Sequence, residues 1–238
     1  MGVTVFLPCR LGSERVPDKN TRQFGELKHG LIELKLRQLE KSRLVDSVVI
    51  STNDPWIYAN SAQYEYIRRS GSGHDKKRSL IQNVRVHWRE PSLCENDTST
   101  DELIPHAAEL IPDGDILWTH CTSPFITADI YDEMIKAYRE PGDHDSLMTV
   151  QRVRGFYWLD NAPINYFRDA DKWPRTQTIE PMDKVTSGGF IAPSDTYRKG
   201  DRIGDWPLMF EVGAIAGMDI DTPQDFALAE HLYKTGYV

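Results

Sequence analysis

A basic loop near the start of the sequence and a pair of carboxylates near its end could do chemistry together. The loop carries four basic residues in thirteen positions of a chain whose formal net charge is −8, namely Arg10, Arg15, Lys19 and Arg22. Guanidinium and ammonium groups bind phosphates, and backbone N–H groups at Gly12 and Ser13 can complete a phosphate cradle. Glu14 and Asp18 then have to point away from it. Composition alone leaves a solvated surface loop open as the alternative.

The carboxylates are Asp219 and Asp221, which share one face of an extended chain because they are two residues apart. Mg²⁺ prefers a few carboxylate oxygens together with waters and substrate phosphates, so the pair predicts a site for Mg²⁺ or another divalent cation beside a triphosphate. Thr222 and Pro223 suit the N-cap and the first position of a helix, which predicts a strand-to-helix junction. The alternative is that one aspartate only helps to cap that helix.

The sequence disfavours several other classes of protein. It contains no GxxxxGK[ST], no GxGxxG and no nucleophile elbow, which disfavours P-loop, dinucleotide-binding and acyl-transfer sites. The acidic balance argues against nucleic acid or an anionic membrane as the main partner. No apolar stretch approaches the roughly 20 residues that span a bilayer, so we expect a cytoplasmic protein. Three scattered cysteines, Cys9, Cys94 and Cys121, are expected to be reduced.

Apolar periodicity predicts the elements that must position these residues. Short apolar runs predict strands at 3–7, 46–51, 84–88, 116–119 and 146–150. Helical spacing predicts helices at 31–44, after 55, at 100–110 and at 127–138. This alternation predicts an α/β fold, with a mostly parallel sheet between helices on both faces and ligands beyond the carboxyl ends of the strands.

One domain is predicted over residues 1–238, with an irregular stretch at about 152–184 that interrupts the alternation. This stretch is rich in aromatic residues, among them Trp158, Tyr166, Phe167 and Trp173. Exposed aromatics there could cover a partner subunit or a ligand, and packing on the same domain is the alternative.

Segment 7–20, LPCRLGSERVPDKN, resembles the N-terminal signature of the acylneuraminate cytidylyltransferases, also called CMP-sialic acid synthetases. In that family the loop wraps the CTP triphosphate. The resemblance implies phosphate contacts from Arg10, Ser13 and Lys19, with Gly12 in the loop and Asn20 bracing it or meeting the nucleotide. It also implies a three-layer fold like that of the nucleotide-diphospho-sugar transferases, with a protruding dimerisation arm.

Two further segments resemble family motifs for the metal and the sugar. DIDT at 219–222 is similar to the C-terminal metal motif, which implies ligation by Asp219 and Asp221. WTHCTSP at 118–124 resembles a segment that helps to hold the acidic sugar, which implies contacts from His120, Thr122 and Ser123. The family usually has Gln, Pro and a following Arg where this chain has His120, Cys121 and Ile126. The identity of the sugar is therefore open, and a structural role is the alternative for His120.

Shorter matches add nucleotide and sugar contacts. Arg89 resembles the basic residue that faces the nucleotide base, and DTST at 97–100 resembles a nucleotide segment, which implies contacts from Thr98 and Ser99. Helix capping is the alternative for this segment. RTQ at 175–177 is similar to a motif beside the sugar site, which implies sugar contacts from Arg175 and Gln177.

The resemblance implies a nucleotidyltransferase that transfers CMP from CTP to a 2-keto-3-deoxy sugar acid of the nonulosonate class and releases pyrophosphate. Arg10, Lys19 and Asp221 are the implied catalytic residues, Mg²⁺ is the implied cofactor, and 152–184 is the implied arm of a homodimer. Three alternatives stay open: a 3-deoxy-manno-octulosonate cytidylyltransferase, a non-catalytic CTP-binding protein on the same fold, and a transferase for another small acceptor.

Overall fold

The computed structural model describes residues 2–60 and 83–237, in which strands alternate with helices. The first part contains β1 (Val3–Cys9), α1 (Gly30–Lys41), β2 (Val45–Thr52), α2 (Pro55–Ala59), β3 (Asn83–Trp88), α3 (Thr100–Leu110), β4 (Asp115–Trp118) and α4 (Ala128–Arg139). The second part contains β5 (Ser146–Val153), β6 (Trp158–Leu159), β7 (Ala162–Pro163), β8 (Met182–Pro193), α5 (Ser194–Arg198), β9 (Pro207–Glu211) and α6 (Pro223–Lys234). Short 3₁₀ turns lie at Pro91–Leu93 and Thr176–Thr178.

Seven strands form one sheet in the order β3-β2-β1-β4-β8-β5-β9, and β6 pairs with β7. β8 runs antiparallel to both of its neighbours, while the other neighbouring pairs of the large sheet are parallel. Because β2 lies on one side of β1 and β4 on the other, the chain changes its direction across the sheet at β1. Such a switch point opens a crevice beyond the carboxyl ends of the two strands. The loops after β1 and β4 therefore face one crevice.

Helices cover both faces of the sheet. α1, α4 and α6 bury apolar side chains such as Leu31, Met134 and Phe226 against one face. α3 and α5 bury side chains such as Ala107 and Tyr197 against the other. Each fully buried large apolar side chain stabilises the fold by about 1.5–3 kcal/mol relative to exposure. The predicted three-layer α/β fold with a mostly parallel sheet is confirmed.

Local signals account for where several helices begin. The Asp54 side chain accepts hydrogen bonds from two backbone N–H groups of α2. Thr222 and Ser99 each form a capping box, with Asp225 and Glu102 respectively. The predicted N-cap at Thr222 is confirmed. The helix predicted after residue 55 is described as far as residue 60, and any continuation lies outside the described residues.

Two predictions need correction, one about the bounds of the irregular stretch and one about the segment before the two aspartates. β5 continues to Val153 and β8 begins at Met182, so the irregular stretch covers 154–181. No strand directly precedes the two aspartates, because β9 ends at Glu211 and the chain must return from the sheet edge to its centre. It does so through a turn in which Gly217 N–H donates to the Gly213 carbonyl at 2.9 Å.

The three cysteines form no disulfide with any described residue, and all three are buried. Cys9 Sγ and Cys121 Sγ lie 3.3 Å apart beneath the ends of β1 and β4, where both pack into the core. Within residues 2–60 and 83–237, no helix combines the length and the apolar character needed to span a membrane.

Candidate active site

A cleft of about 480 Å³ opens at the switch point between β1 and β4. Its walls come from the basic loop after β1, the loop after β4, the loop after β3 and the segment before α6. The predicted site residues that line it are Arg10, Ser13, Lys19, Asn20, Arg89, His120, Thr122, Asp219 and Asp221. The fold thus brings residues from both ends of the sequence to one cleft.

Hydrogen bonds from the chain itself hold the basic loop. Asn20 Nδ2 donates to the Arg10 carbonyl at 3.3 Å, so Asn20 braces the loop while it also lines the cleft. Arg10 Nη1 donates to Asn96 Oδ1 at 2.5 Å. Gly12 has a φ of +86°, a left-handed conformation that favours glycine, and is not among the lining residues. The role of Gly12 here is to let the loop turn.

Glu14 lines the cleft, and the expectation that it points away is wrong. Asn96 Nδ2 donates to the Glu14 carboxylate while Asn96 Oδ1 accepts from Arg10. One neutral amide therefore satisfies both a carboxylate and a guanidinium at the rim. Asp18 does not line the cleft; it has a φ of +52°, and its carbonyl accepts two backbone N–H groups further along the loop.

The aspartate segment lies directly against the basic loop. Lys19 Nζ donates to the Ile220 carbonyl at 2.8 Å and lies 3.9 Å from Asp221 Oδ1. Arg15 Nη2 lies 3.0 Å from the same carboxylate oxygen. Burial lowers the pKa of Lys19, although Asp221 and Asp219 favour its charged form. Lys19 is thus a partly desolvated cation, which interacts more strongly with an anion than a solvated one does.

The Asp219 carboxylate is the observation that bears on the predicted metal site. Its Oδ1 atom is buried and has no hydrogen-bond partner within the described residues. An ionised carboxylate oxygen in that position is costly unless a partner compensates it. A divalent cation would do so, and Asp221 adds a second carboxylate whose side chain is 52% exposed. The pair fits Mg²⁺, whose remaining ligands are then waters and substrate phosphates.

His120 is held in a defined state at the end of β4. Trp118 Nε1 donates to His120 Nε2 at 2.9 Å, so the neutral ring carries its proton on Nδ1. Burial, followed by the positive charge of Arg202, lowers the pKa of His120 to about 3. His120 is therefore neutral at physiological pH. Since it lines the cleft, it can offer one N–H donor to a ligand.

Other predicted ligand residues are placed differently. Ser123 is buried and does not line the cleft. Ser99 caps α3, and Thr98 Oγ1 donates to the Ser92 carbonyl at 3.3 Å. The capping alternative therefore describes Ser99, and neither residue is among those that line the cleft. Arg175 and Gln177 lie exposed on the irregular stretch, outside the cleft of their own chain.

Arg89 is almost fully buried although it lines the cleft. Its guanidinium donates from Nε to Ser51 Oγ at 3.0 Å and from Nη2 to the Ser51 carbonyl at 2.5 Å. Burial lowers its pKa. In this state the guanidinium ties the end of β2 to the loop after β3.

Comparison with known proteins decides the family. Residues 4–165 match the family model described as cytidylyltransferase, which covers more than half of the chain. The chain belongs to the cytidylyltransferase family. This cytidylyltransferase is thus a nucleotidyltransferase, as the N-terminal signature predicts.

Curated relatives align with nearly all of this cytidylyltransferase. It is 22% identical over 242 residues to the pseudaminic acid cytidylyltransferase of Campylobacter jejuni subsp. jejuni serotype O:2, covering 98% of this chain and 96% of the relative. It is 24% identical over 245 residues to the N-acylneuraminate cytidylyltransferase of Oncorhynchus mykiss, covering 99% of this chain. The match covers 51% of that relative, so the chain spans about half of its length.

Solved structures share the fold. A CMP:2-keto-3-deoxy-manno-octonic acid synthetase complexed with CTP gives a TM-score of 0.65 at 15% identity and covers 99% of both chains. A 4-diphosphocytidyl-2C-methyl-D-erythritol synthase gives a TM-score of 0.60 at 13% identity, covering 98% of this chain and 99% of the other. At these identities the likeness establishes the architecture of the cytidylyltransferase and leaves its acceptor to other arguments.

Sequence reasoning missed one buried residue under the cleft of the cytidylyltransferase. Lys35 lies within α1 with no exposed surface, and its Nζ donates to the Ser123 carbonyl and to Tyr131 Oη, each at 2.8 Å. Tyr131 Oη also lies 2.8 Å from Thr119 Oγ1. This chain of hydrogen bonds ties α1 and α4 to the loop after β4. The sequence does carry a signal for the burial of Lys35, because Lys35 lies four residues after Leu31 on the buried face of α1.

Proposed function

We propose that this cytidylyltransferase transfers CMP from CTP to a 2-keto-3-deoxy sugar acid of the nonulosonate, sialic-acid-like class and releases pyrophosphate. The observation that carries the proposal is that the basic loop meets Asp219 and Asp221 across one cleft at the switch point of the sheet. The names of the pseudaminic acid and N-acylneuraminate relatives support this class of acceptor.

The residues of the cleft suit a displacement at the α-phosphorus of CTP. Arg10 and Lys19 neutralise the triphosphate and then the departing pyrophosphate, while Ser13 lines the same wall. Mg²⁺ held by Asp219 and Asp221 would supply charge neutralisation at the phosphates. The anomeric hydroxyl of the acid loses its proton to solvent and forms the new bond to the α-phosphorus as the bond to the bridging oxygen of pyrophosphate breaks. Positioning and charge neutralisation suffice for such a step.

His120 and Thr122 would meet the reacting end of the acceptor or the neighbouring ribose. Both line the cleft, and His120 stays neutral with its proton on Nδ1. A neutral N–H group donates to a hydroxyl or carboxylate oxygen without adding a second positive charge. The N–H donor of His120 stands where the family usually has Gln. It suits an acceptor whose hydroxyl or carboxylate oxygen faces His120.

The proposal includes a homodimer built through the irregular stretch at 154–181. Phe167 is 86% exposed and Trp173 is 64% exposed, and aromatic surface of this kind is typical of protein interfaces. Arg175 and Gln177 lie on the same stretch. In a dimer they would reach the cleft of the partner, which gives their resemblance to a sugar-site motif a structural meaning.

Pyrophosphate release tests the proposed function. CTP, ATP, GTP and UTP are each incubated with the enzyme, Mg²⁺ and a panel of sialic, legionaminic, pseudaminic and octulosonic acids. Release with CTP and one nonulosonic acid is the expected result. CTP binding without release from any acid would overturn the proposal.

A 3-deoxy-manno-octulosonate is the second candidate acceptor. The likeness to the CMP:2-keto-3-deoxy-manno-octonic acid synthetase, with a TM-score of 0.65, favours keeping it in the panel. Release with octulosonic acid in preference to every nonulosonic acid would establish this alternative.

A further inference from the structure

Two buried thiols meet at the bottom of the cleft. Cys9 lies at the end of β1 and Cys121 follows β4, and their sulfur atoms are 3.3 Å apart. Phe6 faces Trp118 in the parallel register of these two strands. Three residues further along each strand, the same register places Cys9 opposite Cys121. The pairing runs on past the end of β4, because Thr119 N–H donates to the Phe6 carbonyl at 3.2 Å.

This arrangement suits a disulfide bond. Neighbouring strands lie about 4.7–4.9 Å apart, and the Cα atoms of disulfide-bonded cysteines are usually about 4.4–6.8 Å apart. Because the bond between the sulfur atoms is about 2.05 Å long, the two atoms have to approach each other by about 1.2 Å. Rotation of the two side chains with a small shift of the loop after β4 is enough for that approach.

The two thiols differ in their access to solvent. Cys121 is among the residues that line the cleft, whereas Cys9 has no exposed surface. A small oxidant can therefore reach the Cys121 sulfur through the cleft, and a nucleotide that fills the cleft would cover it. The hydrogen bond with Cys121, followed by burial, raises the pKa of Cys9 well above its ordinary value. Cys9 is therefore a neutral thiol that still carries its proton.

Both thiols adjoin residues that shape the cleft. Cys9 directly precedes Arg10, which lines the cleft at the start of the basic loop. Cys121 directly precedes Thr122, whose carbonyl accepts the N–H of Ile220, between the two aspartates, at 2.9 Å. A bond between the two sulfur atoms would therefore pull on the basic loop and on the aspartate segment at the same time.

We propose that Cys9 and Cys121 form an oxidative modification site, at which a hydroperoxide converts the two thiols to a disulfide and thereby weakens CTP binding. The link to CTP rests on the proposed function, whereas the disulfide itself does not. The reduced pair is the active state, and the oxidised pair holds the two sides of the cleft in a displaced position.

The oxidation has two steps. The Cys121 sulfur takes one oxygen of the hydroperoxide and becomes a sulfenic acid, while the O–O bond breaks and the other oxygen leaves as an alcohol, or as water from hydrogen peroxide. The Cys9 sulfur then bonds to the Cys121 sulfur, and the sulfenic hydroxyl leaves as water with the Cys9 proton. The two thiols together lose two electrons, which the O–O bond accepts.

Hydrogen peroxide treatment of Cys94→Ser tests the site, because this variant keeps Cys9 and Cys121 as its two thiols. Cys94 does not line the cleft, and its Sγ donates to the Glu90 carbonyl at 3.3 Å. We expect both thiols to be lost, a cross-linked peptide that joins residues 9 and 121 in the mass spectrum, and the same peptide from the wild type.

The calorimetric Kd for CTP should rise at least about tenfold on oxidation, the effect of losing about one charge-assisted hydrogen bond, and should return after dithiothreitol. CTP at ten times its Kd should slow disulfide formation about tenfold, because the fraction of protein with an uncovered Cys121 falls by that factor.

The double variant Cys9→Ala, Cys94→Ser is the matched control, since its Cys121 has no partner thiol. Its oxidation should stop at the sulfenic acid, which dimedone labels, whereas the fully oxidised Cys94→Ser variant should take no label.

The outcomes separate this inference from the function. Two free thiols in Cys94→Ser after peroxide treatment would overturn the modification site, and so would a disulfide that leaves the Kd for CTP unchanged or forms equally fast with CTP bound. If the reduced protein binds no CTP in the presence of Mg²⁺, the proposed function fails, and the peptide map still decides whether the disulfide forms.

Discussion

At the level of single residues, Asp221 links the basic loop to the proposed metal. Its partner Arg15 is 65% exposed and Asp221 itself is 52% exposed, so their 3.0 Å ion pair contributes little to stability, about 0–1 kcal/mol. The carboxylate is therefore free to exchange this pair for a cation. We expect Asp221→Ala to lower turnover by at least about a hundredfold, the effect of losing one electrostatic stabiliser. Pyrophosphate release with CTP and the acceptor measures it.

The matched control for this prediction is Asp205→Ala, which removes an exposed carboxylate that does not line the cleft. Both variants should unfold within about 1 kcal/mol of the wild type in denaturant, because the ion pair is exposed. Turnover of Asp221→Ala close to that of the control would rule out Asp221 as a metal ligand.

Substitution of Lys19 is expected to change nucleotide binding, whereas substitution of Asp221 is expected to change turnover. It is partly buried and its Nζ already faces the aspartate segment, so the triphosphate gains a desolvated cation there. We expect Lys19→Ala to weaken CTP binding and to make that binding less sensitive to salt, because one charge contact is lost. Calorimetric titration at low and high salt measures both changes. Lys28→Ala, at an exposed position outside the cleft, is the control, and equal affinities in the two variants would contradict the phosphate cradle.

At the level of secondary-structure elements, Lys35 in α1 makes the free energy of unfolding depend on pH. Burial lowers the pKa of Lys35 from its ordinary value of 10.5 to about 7. Between these two values the unfolded chain binds a proton that the folded chain does not, so the free energy of unfolding rises with pH in this window. Below about pH 7 both states are protonated, and the cost of burying the ammonium is constant.

Lys35→Met removes that dependence. We expect its unfolding free energy relative to wild type to fall as pH rises from 7 to 10, by about 1 kcal/mol per pH unit. Denaturant melts at several pH values measure the difference. Lys41→Met, at the exposed end of the same helix, is the control. A constant difference between Lys35→Met and wild type would show that Lys35 keeps its proton in the fold.

The same elements show what the sequence can and cannot predict. Strands β1 to β4 and helices α1, α3 and α4 follow from apolar periodicity and capping residues, which are local signals. β8 cannot be predicted from local signals. Gly188 and Gly189 are small because Ile126 and Met134, which are distant in sequence, pack where a Cβ atom would lie. The site divides in the same way. Motifs predict Lys19 and Asp221, whereas tertiary packing alone brings Asn96 and Ser187 to the cleft and buries the ammonium of Lys35 beneath it.

At the level of the whole molecule, the stretch at 154–181 stands apart from the packed layers. Its aromatics contact one another, with Phe156 and Trp173 ring centroids 5.3 Å apart and Arg168 5.6 Å from the Trp173 ring. Phe167 and Leu159 are 86% and 62% exposed, and Trp173 and Ile164 on the same stretch are 64% and 51% exposed. In the proposed homodimer, a second copy of the chain would cover these exposed apolar side chains, Phe167 and Leu159 among them.

Substituting Phe167 and Leu159 tests the homodimer without disturbing the fold. Each side chain counts twice in a two-fold interface, so we expect the double variant Phe167→Ser, Leu159→Ser to raise the dimer Kd by at least about a hundredfold. Sedimentation velocity across a concentration series measures it. Tyr237→Ser, 60% exposed and outside the stretch, is the control. If Arg175 and Gln177 act in the partner's cleft, turnover falls with the dimer and returns at high protein concentration; a monomeric wild type would exclude that arrangement.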